Sequence, residues 1–147
     1  MTVQLHYGLV PSNDAEAAAE WFGRIMDLPR EGTTVRLNET QILEFVPRER
    51  YSGQGGERHF CFRVGDREFD GILARVRGEG IKVRSDPGGP GHGQRIPNDE
   101  INYYYNGRGF YFSSPDGHGY EVITQPYVRG LGGHQGAKKA AQQAEAV

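Results

Sequence analysis

Apolar and polar positions alternate along VQLHYGLV at residues 3–10, the period-two pattern of a strand with one covered face. SNDAE then supplies a helix start, with Asn13 or Ser12 as cap, and Ala18, Trp21, Phe22, Ile25 and Leu28 recur at helical spacing up to Pro29. A single apolar stripe of this kind has to lie on a sheet. Beyond Gly32, VRLN and QILEFV read as two short strands joined at Asn38 and Glu39 by a two-residue turn. The first stretch is therefore a β-α-β-β unit, with room for one more short strand.

The same grammar returns after the glycine-rich connector SGQGGE at residues 52–57. HFCFRV is a strand from His59, Asp66 caps a helix, and Phe69, Ile72, Leu73 and Val76 fall at i, i+3, i+4 and i+7 before Gly80 stops it. IKVRSD reads as a strand, a long Gly/Pro loop runs from Pro87 to about Gly107, and GFYFS and GYEVITQPY form a hairpin. The interval from Tyr7 to Asp14 equals that from His59 to Asp66, which marks an internal repeat. The pattern predicts an α+β fold: two βαβββ modules in one chain, forming curled mixed sheets around a cavity, with helices on the outer faces. Module one covers about 1–51 and module two about 57–128, together a single domain over 1–128, and 129–147 reads as a flexible tail.

Composition narrows the function classes. A chain of 147 residues buries a true core without staples, and its one cysteine, Cys61, excludes an internal disulfide framework and a multi-cysteine zinc site. A formal net charge of −2 with both signs interspersed gives no footprint for a phosphate backbone, so no nucleic acid is expected. Residues 1–30 hold neither a basic start with an apolar run nor a bilayer-length stretch. The expectation is a cytoplasmic protein with no membrane partner.

The run YFSSPDGHGYEV, preceded by HFCFRVGDREFDGILARVRGEGI, resembles the vicinal oxygen chelate superfamily, which contains glyoxalase I, extradiol dioxygenases, fosfomycin-resistance enzymes and bleomycin-binding resistance proteins. The resemblance spans roughly residues 3–127. It implies a divalent metal (Fe, Mn, Zn or Ni) held by histidine on the first strand of each module and glutamate on the last strand of the second. Small members are commonly homodimers. By position, His59 takes the second histidine place and Glu121 the glutamate place. In the first module the repeat-equivalent of His59 is Tyr7, with His6 one residue earlier. Successive strand residues point to opposite faces, so either a β-bulge turns His6 inward or Tyr7 faces the site.

Other residues complete the candidate set. Tyr103, Tyr105 and Arg108 stand beside the hairpin, tyrosines as platforms or proton carriers and Arg108 as partner for a carboxylate or enolate. Glu44 holds the place in module one that Glu121 holds in module two. His118, in the PDGH turn, is expected to close the turn through a backbone hydrogen bond, and His92 has no nameable partner. Two functions follow from the resemblance. One is a metal-dependent small-molecule enzyme of the glyoxalase or dioxygenase type, the metal chelating substrate oxygens; the other is a non-catalytic dimeric binding protein that sequesters an aromatic natural product or antibiotic.

Overall fold

The computed structural model describes residues 3–51, 56–87 and 99–126. Most of the connector, His92 with the centre of the Gly/Pro loop, and the tail 129–147 lie outside the described residues. The chain divides into two compact units, one of residues up to Arg58 together with Pro115–His118, the other of His59–Ser114 and the residues from Gly119 onward.

In the first unit the order is β1 (Tyr7–Ser12), α1 (Ala15–Met26), β2 (Arg30–Glu31), β3 (Thr34–Arg36) and β4 (Ile42–Pro47). They form one mixed sheet in the order β1-β4-β3-β2, with β1 parallel to β4 and the rest antiparallel. The first strand starts later than its alternation suggests. Val3 and Leu5 are exposed, and the ladder with β4 begins only at Tyr7 opposite Ile42. The cap of α1 is Asp14, whose carboxylate accepts from the Ala17 amide at 3.0 Å, one residue beyond the expected Asn13. Ala19, Trp21, Phe22, Ile25 and Met26 are buried in this unit's core with Val10, Val35, Leu43 and Phe45. The β3–β4 connection is wider than a two-residue turn, because Asn38 Oδ1 accepts from the amides of both Thr40 and Gln41.

The second unit follows this order with one strand fewer among the described residues: β5 (His59–Arg63), α2 (Asp66–Gly78), β6 (Gly109–Ser113) and β7 (Gly119–Ile123), in a sheet ordered β5-β7-β6. Again the first and last strands are parallel. IKVRSD does not become a strand: only Arg84 bridges to β6, exchanging both backbone hydrogen bonds with Tyr111. The next carbonyl, of Ser85, takes the Asn102 side-chain amide at 2.9 Å instead of a ladder partner, and Pro87 has no N–H to offer. The helix α2 begins at Asp66 with Gly65 as cap and no side-chain capping bond. Among the described residues, no helix is long and apolar enough to cross a membrane.

The PDGH turn is held by its histidine. His118 is 1 % exposed; its Nδ1 accepts from the Arg58 amide at 2.8 Å, which leaves Nε2–H to donate to the Pro11 carbonyl at 2.6 Å. That assignment fixes the neutral Nε2–H tautomer, since a second ring N–H would face the Arg58 N–H. The structural role expected for His118 is the one its contacts describe. Removing the ring leaves a part-buried amide and a buried carbonyl without these partners, so His118→Ala is expected to lose about 2–4 kcal/mol in urea unfolding. An unchanged midpoint would contradict this reading.

Candidate functional site

The sheet of the second unit has two chemically distinct faces, because side chains alternate along each strand. Phe110 and Phe112 join Phe60, Phe62, Tyr120 and Val122 on one face, where Phe69 of α2 meets Phe110 edge-on at 5.1 Å. The other face carries His59, Cys61 and Arg63 from β5, Gly119, Glu121 and Ile123 from β7, and Tyr111 from β6. Parallel pairing sets His59 opposite Gly119 and Cys61 opposite Glu121. Two sequence-selected residues, His59 and Glu121, thus share one face of adjacent strands.

Glu121 is 2 % exposed, a carboxylate taken almost wholly out of water. Desolvation of that kind is costly unless a cation or strong donors compensate it. The Cys61 thiol donates to Glu121 Oε2 at 3.4 Å, one of the contacts this carboxylate makes. Gly119 makes room for the imidazole: a Cβ at this position would meet His59 Nδ1 at 3.0 Å, closer than nearly all real contacts. Tyr111, itself 2 % exposed, lies 6.1 Å from His59 between ring centroids. Neither Gly119 nor Tyr111 was selected from the sequence. The signal was present in the hairpin register, which pairs Tyr111 with Glu121.

The row continues past Tyr111. Arg84 bridges to Tyr111, so Cys61, Glu121, Tyr111 and Arg84 are directly opposed residues along one line across the sheet. Arg84 Nη2 donates to Ser113 Oγ at 3.1 Å, while its Nε is shut off from solvent with no hydrogen-bond partner. Burial pushes the Arg84 guanidinium below the ordinary arginine value.

The first unit repeats the register with different chemistry. Tyr7 stands opposite Ile42 and Leu9 opposite Glu44, so Tyr7 and Glu44 occupy the places of His59 and Glu121. The pairing runs unbroken from Tyr7 to Ser12, without a bulge, and puts Tyr7 on the face opposite to buried Val10, Leu43 and Phe45. His6 precedes the strand, and its Nδ1 is bonded to the Thr40 carbonyl at 3.0 Å. Glu44 is half-buried and accepts from two hydroxyls, Thr33 Oγ1 at 2.7 Å and Thr34 Oγ1. Its charge already has its donors.

The remaining candidates stand elsewhere. Arg108 shares the face of Phe110 and Phe112, its guanidinium 4.4 Å over the Phe69 ring and paired with Asp70 at 2.7 Å and Asp66 at 2.9 Å. Those two carboxylates, Asp70 foremost, hold it above the ordinary arginine value. The anion partner expected for Arg108 is thus supplied by α2, on the face away from Glu121. Tyr103, half exposed, lines a shallow cleft of about 330 Å³ with Asp66, Asn106, Gly107, Arg108, Thr124 and Gln125. The side chain of Tyr105 lies outside the described residues. Among the described residues, no three His, Cys, Asp or Glu side chains gather as a metal-binding group.

No family model and no curated protein matches the chain. Among solved structures, the oxidase ChaP-H1 is 35 % identical, with a TM-score of 0.71, over 85 % of this chain and 98 % of that one. A glyoxalase/dioxygenase from Nostoc punctiforme is 18 % identical with a TM-score of 0.57, over 84 % of this chain and 91 % of that one. TnmS3, an antibiotic binding protein from Streptomyces sp. CB03234, is 20 % identical, also with a TM-score of 0.57, over 85 % and 98 %. The last two share the fold; the first carries a closer kinship across nearly its whole length. With the duplicated β-α-β units and the aromatic-Pro-Asp-Gly-His-x-x-Glu hairpin, these likenesses make the chain a member of the vicinal oxygen chelate superfamily.

Proposed function

We propose that this chain is a metal-dependent small-molecule enzyme that oxidises an oxygen-bearing, aromatic substrate, with His59 and Glu121 supplying two of the metal's ligands. The single observation that carries this reading is the burial of Glu121 on the face that also presents His59. A carboxylate at 2 % exposure on the face that also presents an imidazole offers a divalent cation two of the donors it uses. Its chemistry fits: one imidazole nitrogen and one carboxylate oxygen suit first-row divalent ions such as iron, manganese, zinc or nickel. Likeness to the oxidase ChaP-H1 supports the oxidative branch over lyase or isomerase chemistry.

The chain's own residues divide the work. Glu121 brings the fixed negative charge, and the Cys61 thiol steadies its Oε2. Gly119 keeps the space that His59 Nδ1 needs, and Tyr111 packs beside the imidazole and restricts its ring. A bound divalent ion would supply Lewis acidity, drawing adjacent substrate oxygens into one coordination sphere. His6 precedes β1 and its Nδ1 is bonded to the Thr40 carbonyl, so the reading rests on His59 and Glu121 and assigns no third ligand. A homodimer in the cytoplasm is the expected setting.

A second reading has its own support. Tyr7, 55 % exposed, stands where the second unit has His59, and TnmS3 shows that this fold also serves antibiotic binding. Under it the chain holds an aromatic ligand unchanged.

Protein purified without chelators is expected to carry close to one divalent ion per chain by elemental analysis, and Glu121→Ala to lose it. A metal-free preparation that turns over substrate at the full rate would contradict the enzyme reading and favour the binding one. Gly119→Ala is expected to retain the fold by circular dichroism but to weaken metal affinity ~10–100-fold, the usual effect of disturbing the support of a ligand. Unaltered affinity in that variant would show that His59 does not need the space.

A further inference from the structure

We propose that Arg84 is the anion anchor of the ligand face, binding an ionised oxygen of a small aromatic acid or phenol whose ring lies towards Tyr111 and His59. The inference rests on the reading of that face as the ligand-binding one and names the charge class of what it takes. Three observations bear on it. First, the backbone bridge to Tyr111 puts Arg84 in line with Tyr111, Glu121 and Cys61 on the same face of the sheet. Second, its guanidinium has one neutral acceptor, Ser113 Oγ at 3.1 Å, and a buried Nε with nothing to bond. Arg24, Arg77 and Arg108 each have a carboxylate within 3.1 Å. Arg84 has no ion pair among the described residues.

Third, the equivalent row of the first unit ends differently. There Leu9, Glu44, Thr34 and Glu31 take the places of Cys61, Glu121, Tyr111 and Arg84. Glu44 is met by threonine hydroxyls in its own row, and Glu31 is exposed to water. The second unit instead puts a half-buried cation beyond an aromatic ring at one end of the row and a buried carboxylate nearer the other. A half-buried guanidinium whose one acceptor is a neutral hydroxyl and whose Nε is shut off from solvent stays charged and is poorly compensated in the empty state. An anionic ligand oxygen relieves that cost, and the planar fork suits a carboxylate or an ionised phenol. Arg84 in this role orients the ligand, with its oxygen-bearing ring directed along the row to the face that carries Glu121.

Salicylate is the probe, with salicylamide as its neutral counterpart, titrated by fluorescence into chelator-treated protein at pH 7. Wild type is expected to bind salicylate and to prefer it over salicylamide at least ~10-fold, as charge-assisted bonds imply. Arg84→Gln should abolish that preference and Arg84→Lys retain part of it. Uptake of manganese(II) by Arg84→Gln should match wild type, which separates this proposal from the metal reading. Equal preference in Arg84→Gln and wild type, or no salicylate binding by folded wild type, would overturn the anchor even if the metal binds. Circular dichroism of both variants guards the comparison, and should Arg84→Gln not fold, the wild-type preference and the Arg84→Lys titration decide.

Discussion

Parallel pairing of β5 with β7 is the constraint on which the rest of the second unit depends. Its register opposes His59 to Gly119 and Cys61 to Glu121, and so decides what each face of the sheet carries. A shift by one residue would turn His59 and Glu121 towards the phenylalanines packed with α2. The apolar side resists such a slip. Phe60, Phe62, Phe110, Phe112 and Tyr120 form a continuous set of ring contacts with centroids 5.5–6.2 Å apart. Packing of those rings holds the register, and with it the face on which Glu121 is buried.

The same backbone plan serves two chemistries in the two units. In the first, Glu44 is quenched by Thr33 and Thr34, and Tyr7 stands where the second unit has an imidazole. In the second, the equivalent carboxylate takes a thiol among its contacts, and the row ends on Arg84, which has no ion pair among the described residues. Duplication supplied the register; the side chains at corresponding places separate a row closed by threonine hydroxyls from one that carries a buried carboxylate, a tyrosine and an arginine.

Much of this was legible in the sequence, for definable reasons. The spacing from Tyr7 to Asp14 and from His59 to Asp66 exposed the repeat, and with it the correspondence of Glu44 to Glu121 that the two registers bear out. His118 was readable because a histidine in a tight turn has few partners other than backbone. Arg108 was misplaced, although its parity with Phe110 and Phe112 already assigned it to the helix-covered face. Arg84 was hidden for a different reason. IKVRSD read as an ordinary strand, and nothing local showed that one bridge to Tyr111 would carry its guanidinium into the row of Glu121. Gly119 was legible as a strand residue on the face of Glu121, but a glycine's value as empty space depends on what stands opposite it.

The central claim is that the His59 and Glu121 face of the second sheet is where a divalent ion binds. Paramagnetic broadening by substoichiometric manganese(II) in the amide spectrum of isotope-labelled protein tests it most directly. The expected result is selective loss of signals from residues 59–63 and 119–123, spreading to Tyr111 and absent in Glu121→Ala. Broadening centred on Asp66 and Asp70, or a spectrum that manganese leaves untouched, would contradict it.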